Sequence, residues 1–130
     1  MHKSSITNLI ILSLAIFIIS CGKSQSSAEN GPAAALLATY QALETHDSIG
    51  FIQSLTLEKQ NEYAMYPDRI SKILSSWDSG HADVKILSVK QTDTTATILY
   101  NLRVTGPKPR TKDSMVADLY LVNGEWKNGY

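Results

Sequence analysis

The sequence predicts an α+β fold, with helices in its N-terminal half and an antiparallel sheet of about four strands in its C-terminal half. Three observations carry this. Between Ala33 and Trp77 the apolar residues recur at spacings of three and four, the helical period. Beyond Gly80 they recur at every second position, the period of a strand with one buried face. Near the end, Asn123-Gly124 separates two such runs and is the two-residue signal for a tight hairpin.

Asn30-Gly31-Pro32 starts the first helix, because proline's fixed φ suits the first turn and its missing N–H costs nothing there. Ala33, Leu36, Leu37, Tyr40 and Leu43 follow as the face expected to meet the core. His46-Asp47-Ser48 breaks the pattern, and Asp47 or Ser48 can cap a short second helix carrying Ile49, Ile52 and Leu55. Gly50 weakens that helix slightly. From Thr56 to Met65 the chain is more polar, with Leu57, Ala64 and Met65 as apolar positions, and any helix there must stop at Pro67. Pro67 then opens a new helix. Asp68 complements its positive end, and Ile70, Ile73, Leu74 and Trp77 fall at i, i+3, i+4 and i+7, the cleanest amphipathic stripe in the chain.

After Asp78-Ser79-Gly80, Val84 and Ile86 alternate with charged neighbours, while Leu87 and Val89 take the opposite parity. Either a bulge lies near Ile86 or both faces of this strand are covered. A turn at Asp93 leads to the next strand, where Ala96, Ile98, Tyr100, Leu102 and Val104 face one way and Thr97, Leu99, Asn101 and Arg103 the other. Met115, Ala117, Leu119 and Leu121 repeat the alternation. A two-residue loop at Asn123-Gly124 pairs Leu121 with Trp126, which puts Trp126, Asn128 and Tyr130 on the face of Leu119 and Met115.

The N-terminal segment has a secretory layout: Lys3 as a basic flank, then an apolar run from Leu9 to Ile19 interrupted by Ser13. It leads directly to Cys21, the single cysteine of the chain. Ile18 three residues before Cys21 and the small Ser20 just before it resemble the lipobox of bacterial lipoproteins. That resemblance implies cleavage between Ser20 and Cys21, a diacylglyceryl group on the thiol and acylation of the new amino terminus. The alternatives are a plain secretory signal with a free thiol and an uncleaved anchor. The apolar run of 11 residues falls short of the ~20 needed to span a bilayer. Each buried methylene contributes on the order of 0.8 kcal/mol, so two or three acyl chains hold a protein stably where one does not.

Residues 1–20 are thus expected to be a signal peptide, 21–31 a lipidated cysteine with a tether, and 32–130 a single domain. Gly22 to Gly31 contains no bulky apolar residue and has linker composition, spanning a root-mean-square distance of roughly 17 Å. The chain carries 12 basic and 12 acidic residues, and loss of Lys3 leaves a formal charge of minus one. Nucleic-acid binding is not expected from that balance. With one cysteine no internal disulfide can form, so packing alone must hold the fold.

Val84 to Val89, Ala96 to Val104 and Asp118 to Lys127, with the His46-Asp47 break and the closing Asn-Gly-Glu-Trp-Lys, resemble small bacterial cystatin-like lipoproteins of the nuclear-transport-factor-two-like superfamily. The resemblance covers residues 32 to 130. It implies N-terminal helices packed on a curved antiparallel sheet, a cone whose open end often holds a pocket. The pocket residues it suggests are Tyr40, Tyr100, Met115, Trp126 and Asn128, with Leu102 and Leu119 on the same face and Tyr63 or Trp77 nearby. Aromatic residues at these spacings also suffice to make an ordinary small core.

Enzymes with this cone use an acid or base deep in the pocket, and this chain offers no clear equivalent. Asp118 and Tyr120 lie at the outward parity, and Asn128 is the one strongly polar residue on the inward face. His46 beside Asp47 and His81 near Asp83 read as cap or turn residues, so no metal is expected. No Gly-rich phosphate loop or Gly-x-Ser-x-Gly elbow occurs, and no cofactor is expected. Gly106 to Lys112 forms a basic, proline-stiffened tip, either solvated or able to touch an anionic surface.

The leading expectation is a lipid-anchored, non-catalytic binding or interaction domain of the cell envelope, attached to the membrane through Cys21 and meeting a small ligand or an envelope protein. An isomerase- or dehydratase-like enzyme is the first alternative. An immunity or assembly factor acting through Asn101, Arg103 and Tyr120 is the second. Gly22 and Lys23 after the cysteine lack the acidic residue of inner-membrane retention, which implies an outer-membrane destination, and a homodimer through the sheet is a further possibility of the cone fold.

Overall fold

The computed structural model describes residues 31–130. The expected signal peptide, the expected lipidation site Cys21 and the expected tether up to Asn30 lie outside the described residues. Four helices precede four strands: α1 Pro32–Glu44, α2 Ser48–Gln53, α3 Leu57–Met65 and α4 Pro67–Ser75, then β1 His81–Gln91, β2 Thr95–Thr105, β3 Arg110–Val122 and β4 Glu125–Asn128. The strands form one antiparallel sheet in the order β1-β2-β3-β4. Among the described residues no helix is long and apolar enough to cross a membrane.

Each helix begins where local chemistry allows it. Pro32 occupies the first turn of α1. His46 takes a left-handed φ of 55° and turns the chain, and Asp47 Oδ1 then accepts from Gly50 N at 2.9 Å to cap α2. Thr56 Oγ1 accepts from Lys59 N to cap α3, and Pro67 both follows α3 and opens α4. The core stripe of α1 is Leu36, Thr39 and Leu43. Leu37, expected in the core, stands on the flank toward β1 and is half exposed, because burial of Leu36, Thr39 and Leu43 turns it about 100° away. Ile49, also expected inside, is 69 % exposed. Phe51 takes its place as the buried residue of α2, and Leu55, past the end of that helix, is fully buried.

Two bulges shape the sheet. Along β1 and β2 the pairing runs Val84↔Leu102 and Ile86↔Tyr100, then skips Leu87 to continue Ser88↔Leu99 and Val89↔Ile98. The parity change in β1 is therefore a bulge, and Leu87 is half exposed rather than buried on a second covered face. Along β2 and β3 the pairing runs Ile98↔Ala117 and Tyr100↔Met115, then jumps to Leu102↔Lys112. Asp113 and Ser114 together oppose Asn101, whose Oδ1 accepts from Ser114 N at 2.9 Å, with Ser114 at φ 55°. Both irregularities fall beside Tyr100. A bulge bends its strand and increases local twist, so the sheet curls most at this level.

The helices fill the concave face. Leu36, Leu43, Phe51, Leu55, Tyr63 and Trp77 meet Ala96, Ile98, Leu102, Val104, Ala117 and Leu119 in one buried cluster. The end of the sheet is stitched to the helices: Thr56 N donates to Asn128 O at 3.0 Å and Asn128 N donates to Ser54 O at 2.8 Å. The expected Leu121↔Trp126 pair is present, with Asn123 and Gly124 at φ 51° and 80°.

The second bulge also redirects the basic tip. It brings Lys112 and Arg110 onto the helix side, opposite Leu102 and Val104. Arg110 Nη1 donates to Ser76 O at 3.2 Å while its guanidinium lies 4.9 Å from the Trp77 ring centre, and Lys108 Nζ reaches Ser75 O at 3.5 Å. The tip is otherwise exposed, as expected of a solvated loop, but Arg110 turns inward and caps the negative end of α4. Gly106 makes this approach possible. Its φ is 123°, and a Cβ there would lie 2.6 Å from Ser79 O. Gly106→Ala is expected to lower stability by roughly 1–3 kcal/mol in chemical denaturation. Gly124→Ala, at a turn with nothing within 4 Å of the added carbon, should cost less.

Candidate functional site

Where the sheet curls at Tyr100, its inner face and the helices leave a cavity of about 210 Å³. α1 contributes Thr39, Tyr40 and Leu43, and Phe51, Tyr63 and Ile73 come from the three following helices. Tyr100, Met115, Val116, Asn128 and Tyr130 complete it from the sheet side. The helical period that sets Leu36 and Leu43 in the core also places Thr39 and Tyr40 at its wall. No carboxylate, lysine, arginine or histidine belongs to the lining.

The polar atoms are arranged in pairs. Tyr40 and Tyr100 share a hydroxyl–hydroxyl hydrogen bond of 2.7 Å, and Tyr63 and Tyr130 share another. In each pair one hydroxyl donates and the other accepts, which leaves the acceptor's own proton uncommitted by that bond. Thr39 Oγ1 donates to Ser54 Oγ at 2.9 Å, and Ser54 Oγ donates to Phe51 O at 2.6 Å. Asn128 is 3 % exposed, and its Oδ1 accepts from Tyr130 N at 3.0 Å. The side chain of Asn128 thus fixes the local backbone at Tyr130.

Aromatic packing fixes the first pair. Tyr40 meets Trp77 at 5.8 Å and Tyr100 at 6.0 Å between ring centres, both at steep angles, and the Arg110 guanidinium also packs on Trp77. Burial pushes the Tyr40 hydroxyl well above the usual phenol range, and the Tyr100 hydroxyl adds to this. Burial also raises Tyr100, and burial followed by the Tyr63 hydrogen bond raises Tyr130. These groups are neutral at physiological pH. The site can therefore hold an uncharged, largely apolar molecule that presents one donor or acceptor to the tyrosine hydroxyls.

Four of the five residues expected at a pocket, Tyr40, Tyr100, Met115 and Asn128, line this cavity. Trp126 does not. Its place beside the Asn123-Gly124 turn sets it against Ala34, Ala35 and Ala38 of α1, in a separate shallow depression of about 270 Å³. Leu102 and Leu119 are core residues, and Trp77 backs Tyr40 rather than lining the space. Leu43, Ile73 and Tyr130 were read as inward-facing positions but not as pocket residues, and Thr39, Phe51 and Val116 were not singled out. Of these last three, Thr39 had a signal, as a polar residue three positions after Leu36 on a buried stripe.

Outside the cavity, Asp118 faces outward and accepts from Thr97 Oγ1 at 3.1 Å. His46 meets Asp78 at 3.2 Å and His81 meets Glu44 at 3.2 Å, not the neighbouring aspartates. Among the described residues no group of three or more His, Cys, Asp or Glu side chains is placed to hold a metal ion.

The raised tyrosines make a pH prediction with a definite sign. A phenol whose folded value lies above its unfolded value of about 10 keeps its proton in the native state after the unfolded chain has lost it. Its stabilisation is complete below about pH 10 and is lost as pH climbs further. Stability measured by denaturant is expected to be flat through neutrality and to fall from about pH 10 upward, by up to ~1.4 kcal/mol per pH unit per raised tyrosine. Tyr40→Phe should cost about 0.5–1.5 kcal/mol at pH 7 and make the alkaline slope shallower.

No protein-family model and no curated protein matches this sequence. Solved structures that share its architecture include the following two. A SEC-C motif-containing protein from Rhodopseudomonas palustris aligns with a TM-score of 0.63 at 12 % identity, over 76 % of this chain and 75 % of the other. A Campylobacter jejuni protein described as an NTF2-like transpeptidase aligns with a TM-score of 0.57 at 14 % identity, over 77 % of this chain and 98 % of the other. At such identities the likeness is one of fold. Four helices on a curled four-stranded antiparallel sheet give this chain the nuclear-transport-factor-two-like α+β cone fold.

Proposed function

We propose that this protein is a lipid-anchored binding module of the bacterial cell envelope. Cys21 carries the lipid, the residues up to Gly31 form the tether, and the cone domain holds a small neutral ligand in the cavity beside Tyr40 and Tyr100. The observation that carries the binding role is the Tyr40–Tyr100 hydroxyl pair at the wall of an apolar cavity. A buried polar pair costs free energy to desolvate, and a ligand that accepts or donates there gains a directed bond in a low-dielectric site. The anchor rests on the apolar run, Ile18, Ser20 and Cys21.

One observation favours a second reading. Tyr120 and Val122 are each more than 40 % exposed on the outer sheet face, so an envelope protein or a second copy meeting that face would cover them. Asn101, expected to serve such a surface, instead spends its side-chain oxygen on the β3 bulge.

Native mass spectrometry of the mature protein released from detergent is expected to show a small-molecule adduct that disappears on denaturation. Tyr100→Phe should weaken retention of that molecule roughly 2- to 10-fold, the worth of one neutral hydrogen bond. A ligand-free dimer or a copurifying protein would move the function to the outer face. Cys21→Ser should abolish labelling by a clickable palmitate analogue and shift the protein to the soluble fraction; unchanged labelling contradicts the anchor.

A further inference from the structure

The three most exposed large apolar side chains among the described residues all lie on α2 and α3: Ile49 at 69 %, Leu57 at 70 % and Met65 at 71 %. Ile49 is a wall of an open groove of about 520 Å³ between α2, α3 and α4, which Ile52, Ala64, Pro67 and Ile70 also line. Leu57 lies two turns before Ala64 and so shares its face of α3. Residues 48–75 carry Glu58, Glu62 and Asp68 against Lys59, Arg69 and Lys72, and Glu62 is paired with both Lys59 and Arg69. The face is apolar with balanced charge. An exposed apolar patch of this kind marks a contact surface.

The occupant follows from where the tether leads. We infer that this helical face rests on the bilayer that holds Cys21, with Ile49 and Leu57 inserted among the upper acyl chains of the membrane lipids. This rests on the proposed lipidation of Cys21. The groove adjoins the C-terminal end of α1, about 20 Å along that helix from Gly31. Nine residues separate Cys21 from Gly31, a reach of roughly 30 Å when extended, so the anchor permits the domain to lie down on this face. Balanced charge makes the contact apolar, hence insensitive to salt and to the headgroup charge of the lipid.

The test uses the full lipidated protein in vesicles of neutral phospholipid, with an environment-sensitive fluorophore on Ile49→Cys, Leu57→Cys or, as a control on the outer sheet face, Thr97→Cys. A nitroxide on the upper acyl chain of the lipid is the quencher. The expected result is blue-shifted emission and loss of fluorescence at positions 49 and 57, unchanged by salt, with none at position 97. All three sites are solvent-exposed, and unchanged circular dichroism will show that the labelled proteins are folded. Palmitate incorporation is measured on the same samples. Protein that incorporates palmitate but shows no quenching at 49 and 57, or equal quenching at all three sites, overturns this inference alone. Protein that does not incorporate palmitate overturns the anchor and this inference with it. Blue-shifted emission without lipid quenching would mean that a protein covers the groove, and would also overturn it.

Discussion

The curl of the sheet at Tyr100 is the constraint from which the rest of the structure follows. Two strands flank β2 at this level, and each loses its regular register there: β1 by looping out Leu87, β3 by fitting Asp113 and Ser114 opposite Asn101. A single bulge would bend one side of the sheet. Two at the same height turn it about the first helix, because each shortens the distance covered per residue on its own strand and adds right-handed twist. The inner face becomes concave, and α1 can lie within it while still contacting β1, β2 and β4.

From that curl come both the buried aromatic cluster and the site. Tyr100 is carried inward to Tyr40, Tyr40 packs on Trp77, and Trp77 is covered by Arg110, a residue that faces the helices only because the β3 bulge has shifted its parity. Arg110 and Lys108 then meet the carbonyls at the end of α4. Register, aromatic packing and helix capping are thus linked: straightening β3 would turn Arg110 outward, uncover Trp77 and remove the support behind Tyr40. The cavity is the space left where this chain of contacts ends and the Tyr63–Tyr130 pair begins.

Much of this was legible in the sequence, because the elements are signalled by period and by punctuation. The alternation from Ala96 to Val104, the prolines at 32 and 67 and the Asn-Gly turn each act locally, so their structural meaning does not wait on the fold. The β1 bulge was visible as one of two possibilities, through the parity of Leu87 and Val89. The β3 bulge was not, since Arg110 to Ser114 contains no apolar residue whose parity could reveal a shift. That hidden step is why the inward turn of Arg110 was not expected. Leu37 and Ile49 were placed inside because an apolar residue near a stripe looks like part of it; only the packed helix reveals which edge is left to solvent. Within the site, Tyr40 and Tyr100 were suggested by the family resemblance, but the pairing of hydroxyls joins residues 60 and 67 positions apart, a relation that no local pattern encodes. Trp126 was misplaced for a related reason: facing inward on β4 was not enough, since the hairpin end of the sheet meets the alanine face of α1 and not the cavity.

The most direct measurement is the pattern of cross-strand nuclear Overhauser effects along β2 in the isotopically labelled protein. A sheet curled by paired bulges predicts contacts for Val89 with Ile98 and Lys112 with Leu102, and a break in the regular ladder on both sides of β2 beside Tyr100. An unbroken ladder, pairing Leu87 with Leu99 and Asp113 with Leu102, would flatten the sheet, turn Arg110 away from Trp77 and contradict the bulges as the origin of the cavity.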